Sequence, residues 1–527
     1  MVKININGNV KEVAKGTTLL EALKDEGIHV PTMCYLENTE HFPTCMICIV
    51  KDQRNGQMIP SCSTFAAEGM EIISNDEEVI EARKTGLELL LSDHVGECDA
   101  PCQTNCPASM DIPLINRLLV NGDITEALKI VKRDVAFPGI LGRICPAPCE
   151  RVCRRRNIDD PVSICLIERY AGDLIAENID AYLPEKFPTN GKNIGIIGTG
   201  PGGLSAAFFL QQKGYQCTLY DKDPLAGGAL RYAVPEDRFP KVVLDKEIES
   251  VEQLGAIFKM NHTISKDSLP ELQKEFDAVI IASGEDNADF IGPDKKNKSF
   301  VTDRNTHQTS IKGVFAIGSA IKPGRVAIRA IANGKEVAVA IDQYLQGKEV
   351  VGNEHIFNSR IGKMTEEDYE GFMLEADDGP RNEPDNDKGF SANQAKSEAK
   401  RCMHCDCRKK DDCTLRIYSD EYKAVQSRFF PKEREPVRKV FKNKPVVYEP
   451  EKCIKCGICV KITSMHKEEL GLTYIGKGFD VEISAPFDDE QKNVLEKTAV
   501  LCAEKCPTAA LALNEKEVLL NNTSEKV

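Results

Sequence analysis

Residues 193–210 read NIGIIGTGPGGLSAAFFL. A buried apolar run enters Gly198-x-Gly200-x-x-Gly203, and an apolar helix leaves it. The glycines permit the tight turn between strand and helix and let backbone N–H groups reach a pyrophosphate at the helix N-terminus. A second run, CTLYDKD over residues 217–223, follows at the right distance and ends in Asp221, placed to bind a ribose hydroxyl. This reading predicts a Rossmann-like α/β domain over residues 186–350.

Working outward, a chain of 527 residues is too long for one ordinary core, and two to four domains are expected. Hydrophobic residues at 41% and charged residues at 28% are an ordinary globular balance. The net charge of −14 argues against a nucleic-acid binder and against attachment to anionic lipid. No run of 18 apolar residues occurs, and the start, MVKININGNV, has no charged and then apolar export signal. The expectation is a cytoplasmic protein without membrane insertion, in which 21 cysteines serve as metal ligands rather than disulfides.

Eighteen of those cysteines bunch into four clusters, leaving Cys165, Cys217 and Cys502 over. Residues 2–13 alternate around Asn7-Gly8, a hairpin signal, and Thr18 with Glu21 forms a capping box ahead of a short helix that Gly27 stops. Cys34, Cys45, Cys48 and Cys62 follow. Hairpin, helix and cysteine loop predict a β-grasp [2Fe–2S] domain over residues 1–77, with a zinc site as the alternative. From residue 78 to 185 the pattern turns helical between two cysteine strings, His94-x3-Cys98-x3-Cys102-x3-Cys106 and Cys145-x3-Cys149-x3-Cys153. Neither string has the four-ligand spacing of a ferredoxin, so ligands must be pooled.

The segments FPGILGRICPAPCE and PVSICLIERY in this stretch resemble the amino-terminal domain of the glutamate synthase small subunit and dihydropyrimidine dehydrogenase family. The resemblance implies two [4Fe–4S] clusters, one on Cys106, Cys145, Cys149 and Glu168, the other on Cys98, Cys102 and Cys153. Cys165 is the alternative to Glu168. His94, in a His-x3-Cys step similar to that of the complex I large iron–sulfur subunit, is the fourth ligand of the second cluster or an ordinary loop histidine. The Cys34–Cys62 spacing resembles the same subunit and iron-only hydrogenases, except that Thr44 replaces a glycine.

The family resemblance extends through GGALRYAVPEDRFP, DAVIIASG and GVFAIGSA. It implies FAD, with Gly228, Arg238, Gly284, Gly318 and Ser319 at the flavin site beside Gly198, Gly200, Gly203 and Asp221. Ser319 stands where an aspartate is usual. Such proteins insert a second nucleotide domain for NADPH, yet only 28 residues separate Gly284 from Gly313, too few for a βαβ fold.

Residues 364–400 are acidic and rich in Pro, Gly and Asn, and read as a solvated linker within a 351–445 segment. Cys402, Cys405, Cys407 and Cys413 fit neither ferredoxin string, and zinc and an iron–sulfur cluster suit them equally. Residues 446–527 resemble a ferredoxin-like domain: Cys453, Cys456 and Cys459 open a string whose fourth ligand is the remote Cys506-Pro507, with Thr463 and Cys502 marking a lost second cluster. The chain is thus expected to be a multidomain α+β and α/β iron–sulfur flavoprotein oxidoreductase with one [2Fe–2S], three [4Fe–4S] and FAD. It would pass electrons within a complex whose partners are other redox subunits, a ferredoxin or an NAD(P)H-oxidising subunit. A free-standing NAD(P)H-dependent enzyme and a redox sensor or scaffold with a vestigial flavin are the alternatives.

Overall fold

A computed structural model describes residues 1–514 apart from 40–42, 179–181, 266, 286–293, 298, 325, 355, 386, 431–432, 441–444 and 486–493. The chain forms two compact units that do not follow its order. One comprises Met1–Ala100, Ile356–Ala376 and Met403–Val527; the other comprises Pro101–His355 and Asp377–Cys402.

The first unit begins with the hairpin Val2–Ile6 and Asn9–Val13, whose turn residues Asn7 and Gly8 both have positive φ, as a type I′ turn requires. The sheet continues through Glu71–Ile73, Ile49–Asp52 and Gln57–Pro60. The helix Leu19–Asp25 carries the Thr18/Glu21 capping box. It packs Leu19 and Leu23 against Ile4, Ile6, Val50 and Ile72. A second core joins Met33, Ile47, Leu87 and Leu91 to Leu415, Ile458, Ile462 and Leu511. The amino-terminal domain, the helix Glu77–Asp93 and the carboxy-terminal residues therefore share one apolar interior. Arg83 in that helix is buried, donating to the carbonyls of Ile49 and Ser74 and to the Tyr422 hydroxyl.

The second unit has a helical part and a sheet. The sheet is wholly parallel, in the order Val314–Ala316, Ala278–Ile281, Asn193–Ile197, Gln216–Tyr220 and Ile257–Lys259. Among the described residues it is the only five-stranded parallel sheet. The helix Pro201–Gln212 lies against Ala327–Leu345, where a Cβ on Gly334 would fall 2.6 Å from that of Ser205. In the helical part, Pro138–Ile144 and Ile164–Glu177 cross so closely that a Cβ on Gly172 would sit 2.3 Å from the Gly139 nitrogen.

Residues 364–400 depart from the solvated linker expected of them. They hold two helices, Glu366–Met373 and Ala392–Ala399, each with a complete capping box, at Thr365/Asp368 and Ser391/Gln394. Two of its carboxylates, Asp368 and Glu398, are buried and paired, while others such as Glu366, Glu367 and Asp378 are exposed. Asp368 accepts from Arg434 and from the Val437 N–H. Glu398 accepts from the N–H groups of Ser163 and Asn382 and from Arg401. Composition cannot distinguish a charge in water from one inside a hydrogen-bond network.

Two predictions follow from this packing. Gly172→Ala should lower stability by about 1–3 kcal/mol in thermal or denaturant unfolding, because overpacking against the Gly139 backbone outweighs the ~1 kcal/mol helix-propensity gain. Burial alone would raise the Asp368 carboxyl, but Arg434 and the N–H groups of Thr365 and Val437 hold it well below the usual carboxylate range. Its contribution is therefore complete above about pH 4 and is lost as the pH falls further. Asp368→Asn should cost about 3 kcal/mol by leaving Arg434 without its partner, and should flatten the acid limb of the stability profile.

Candidate metal centres and nucleotide site

In the first unit Cys34, Cys45, Cys48 and Cys62 are all buried. Their thiols lie close enough to shift one another, Cys34 with Cys45 and Cys62, and Cys48 with Cys62. Those contacts hold Cys34 low and lower Cys48 to about 7. Loop segments from both sides of the strand Ile49–Asp52 thus bring the four predicted residues together.

Cys453, Cys456, Cys459 and Cys506 line a single cavity with Tyr448, Ile483 and Leu511. Gly457, at φ +73°, turns the chain into the helix Ile458–Met465. Cys506 arrives from the end of the helix Ala499–Lys505, 47 residues beyond Cys459. Burial pushes Cys453 up to about 12 and Cys456 higher still, so these thiols require a bound cation to become thiolates. Four sulfur donors around one cavity suit a cubane cluster. Thr463 is buried and its hydroxyl donates to the Val460 carbonyl, and the buried Cys502 is not part of the lining, its thiol donating toward the Cys459 carbonyl at 4.0 Å.

Of the 402–413 string, Cys405, Cys407 and Cys413 belong to the first unit and Cys402 to the second. In the first unit the Cys407 N–H donates to the Cys98 carbonyl at 3.1 Å. Burial pushes Cys407 up to about 12 and Cys413 to about 11, each also raised by the nearby Cys98 thiol. The Ser359 hydroxyl stands 3.3 Å from the Cys98 sulfur and donates to the Gly96 carbonyl. Ser359 carries no sequence signal, lying 261 residues away, ahead of the stretch read as a linker. His94 is in the same unit, its Nδ1 3.3 Å from the Lys452 carbonyl. Desolvation and the Lys452 ammonium push its imidazole down to about 4, leaving it neutral.

Cys402, by contrast, belongs to the second unit, as do Cys102 and Cys153. Arg155, next but one after Cys153, donates to the Arg401 carbonyl, and Arg401 donates to Asp159 and to the Asp160 carbonyl. Cys106, Cys145, Cys149, Cys165 and Glu168 gather in this unit. Cys165 on the helix Ile164–Glu177 hydrogen-bonds with the thiols of Cys145 and Cys149. Glu168, one turn along, is raised well above the carboxylate range by burial and then by the same two thiols. Cys106 is pushed up to about 12 by burial, with Glu168 adding to the shift. Both candidates for the fourth ligand therefore lie near Cys145 and Cys149, and Glu168 also lies near Cys106. Among the described residues no three His, Cys, Asp or Glu side chains close on one point as tightly as a single metal ion requires. A polynuclear cluster, with ligands on separate irons, spreads them more widely.

The glycine loop has the geometry expected of a nucleotide site. Gly198, at φ +108°, would clash with the Ala282 carbonyl if it bore a Cβ, and Gly203 would clash with the Gly198 carbonyl. Gly200 caps the helix Pro201–Gln212 and faces open space. The Gly227 N–H donates to the Thr199 carbonyl, and a Cβ on Gly228 would meet the Gly200 Cα at 2.9 Å. Asp221 accepts from the Thr199 N–H at 2.7 Å and hydroxyl at 2.6 Å, bracing the loop from beneath. Gly284 and Gly318 both have positive φ, Gly284 just after the strand Ala278–Ile281 and Gly318 just after Val314–Ala316. Ser319 donates to the Gly324 carbonyl, and Arg238 is exposed.

Comparison with known proteins identifies three segments, the second of which spans the boundary between the two units at Ala100. Residues 1–77 match the 2Fe-2S iron-sulfur cluster binding domain, residues 89–179 match dihydropyrimidine dehydrogenase domain II, 4Fe-4S cluster, and residues 196–253 match an NAD(P)-binding Rossmann-like domain. The NADPH-Fe(3+) oxidoreductase subunit beta of Geobacter sulfurreducens is 32% identical over 244 residues, 45% of this chain and 36% of that protein. The NADP(+)-dependent formate dehydrogenase subunit beta of Moorella thermoacetica is 35% identical over 207 residues, 35% of this chain and 29% of that protein. The glutamate synthase [NADPH] small chain of Bacillus subtilis is 38% identical over 184 residues, 34% of this chain and 37% of that protein. The chain spans about a third of the length of each of these relatives. It joins a 2Fe–2S domain, a dihydropyrimidine dehydrogenase-type 4Fe–4S domain and a Rossmann-like nucleotide-binding domain, and so resembles the iron–sulfur flavoprotein subunits related to the glutamate synthase small chain.

Proposed function

We propose that this chain is an electron-transfer subunit of a multi-subunit oxidoreductase, carrying FAD, one [2Fe–2S] cluster and at least three [4Fe–4S] clusters in a reducing, cytoplasmic setting. The observation that carries this reading is the gathering of Cys453, Cys456, Cys459 and remote Cys506 around one cavity, in the unit that also assembles Cys34, Cys45, Cys48 and Cys62. When bound, the clusters exchange single electrons, and a flavin converts these to two-electron chemistry. The protein's part is to bury the thiols, orient them and hold the glycine loop open. FAD is favoured by Gly228 closing on Gly200, as the resemblance implies, and by the short Gly284–Gly313 interval, which leaves no room for a second βαβ unit.

Anaerobically purified protein should contain about 14 irons per chain or more, from one binuclear and at least three cubane clusters. Extraction should release FAD. Neither NADH nor NADPH should reduce that flavin in the isolated chain on the timescale of turnover, while dithionite or reduced ferredoxin should bleach it. Rapid reduction by either nucleotide would make the chain a free-standing NAD(P)H-dependent enzyme. Iron near two per chain with stoichiometric zinc would overturn the electron-transfer reading, and full iron without flavin would favour the sensor or scaffold.

Glu168 is the proposed fourth ligand to the Cys106, Cys145 and Cys149 cluster, with Cys102 and Cys153 serving a neighbouring centre. Cys165 is a second reading because its thiol hydrogen-bonds with Cys145 and Cys149. Glu168→Ala should alter one cubane's EPR spectrum and midpoint potential while Cys165→Ser leaves both unchanged. The reverse pattern assigns Cys165 as the ligand.

A further inference from the structure

The cysteines of residues 402–413 fit no ferredoxin spacing and the cluster of the His94-x3-Cys98 step lacks a fourth cysteine, and the first unit brings parts of both together. The chain leaves this unit after Ala100 and returns for good at Met403. On either side of that excursion, the Cys98 carbonyl accepts from the Cys407 N–H. Cys98, Cys407 and Cys413 are all buried, and Cys98 acts electrostatically on both of the others. Asp99, next to Cys98, pairs with Arg416 at 2.6 Å and with Lys410 at 3.5 Å, fastening the 407–416 segment to the residues around Cys98.

The histidine is presented as a ligand would be. Its Nδ1 lies against the Lys452 carbonyl, which also accepts from the Thr508 hydroxyl. A carbonyl can only accept, so the proton sits on Nδ1 and the Nε2 lone pair is left for another partner. That Nε2 points toward Gly96, where a Cβ would come within 3.3 Å of it and 2.9 Å of the Lys452 side chain. Lys452 lies near enough to Cys407 for each to shift the other electrostatically. A metal-bound histidine commonly donates its second ring N–H to a backbone carbonyl in this way.

We infer that Cys98, Cys407, Cys413 and His94 form one iron–sulfur site, assembled across the excursion of the second unit, rather than Cys98 joining Cys102 and Cys153 or the 402–413 string forming a zinc knuckle. This inference rests on the iron–sulfur reading proposed above. The site adjoins the Cys453, Cys456, Cys459 and Cys506 cavity: the Cys413 thiol donates toward the Pro507 carbonyl at 3.9 Å, and the Leu415 N–H donates to the same carbonyl at 3.3 Å. Cys456 in turn lies within electrostatic reach of Cys34. The first unit would then hold a row of three centres.

The test uses the anaerobically purified full chain, with iron and zinc content, EPR of the dithionite-reduced protein and potentiometric titration as readouts. Cys98→Ser, Cys407→Ser and Cys413→Ser should each remove about four irons and the same EPR signal, while Cys102→Ser and Cys153→Ser leave that signal intact. His94→Cys should retain the iron but lower the midpoint potential of that one centre, since an anionic thiolate replaces a neutral donor. Retention of the signal in Cys407→Ser, with its loss in both Cys98→Ser and Cys102→Ser, would overturn the grouping. Loss of one zinc without loss of iron in Cys407→Ser would overturn the cluster, and an unchanged potential in His94→Cys would overturn the histidine ligation. Wild-type iron near two per chain would instead defeat the electron-transfer reading itself.

Discussion

The hydrogen bond from the Cys407 N–H to the Cys98 carbonyl closes a loop of about three hundred residues, and the architecture of the first unit depends on that closure. For a structureless chain of that length, bringing the ends together would cost about 5 kcal/mol of conformational entropy. The cost falls because most of the intervening residues fold into a unit of their own. Backbone bonding, the Asp99 pairs to Arg416 and Lys410, and a shared apolar core then hold the two edges of the gap together within the first unit. Cysteines that are remote in sequence are thereby brought to neighbouring backbone positions.

Buried charge is organised to the same end. Arg155 and Arg401, both almost inaccessible, spend their guanidinium donors on Asp159, Glu398 and backbone carbonyls, fastening the residues around Cys402 to the loop after Cys153. Glu375 is held below the ordinary carboxylate range despite its burial, by Lys439, Arg408 and His404. Isolated charges in such positions would be expensive, and each is matched by a partner and by hydrogen bonds. The buried cysteines run the other way: desolvation raises Cys106, Cys407, Cys413 and Cys453, so the sites are built for a cationic guest and not for free thiolates.

Much was legible along the chain because it was local. The hairpin at Asn7-Gly8, the Thr18/Glu21 capping box and the Gly198-Gly200-Gly203 turn are each set by a few neighbouring residues with defined backbone demands, and each is present in the structure. That Cys506 would lie beside Cys453, Cys456 and Cys459, with which it lines one cavity, was also suggested by the Cys-Pro step, itself a local signature. The helices at 366–373 and 392–399 were not, because the acidic composition around them concealed Asp368 and Glu398 inside hydrogen-bond networks with distant partners.

The sequence by itself determined which chemistry the chain can support: thiols in ligand-like strings, a glycine loop before an apolar helix, and too little chain for a second nucleotide domain. The tertiary structure alone decided which of these residues lie near one another. Cys98 and Cys102 are four residues apart yet belong to different units, whereas Cys98 and Cys407 are hydrogen-bonded neighbours. Spacing reports ligand sets only when the ligands lie on one continuous segment. Where a folded unit is inserted between them, proximity is set by the packing that closes the gap, and no local pattern records it.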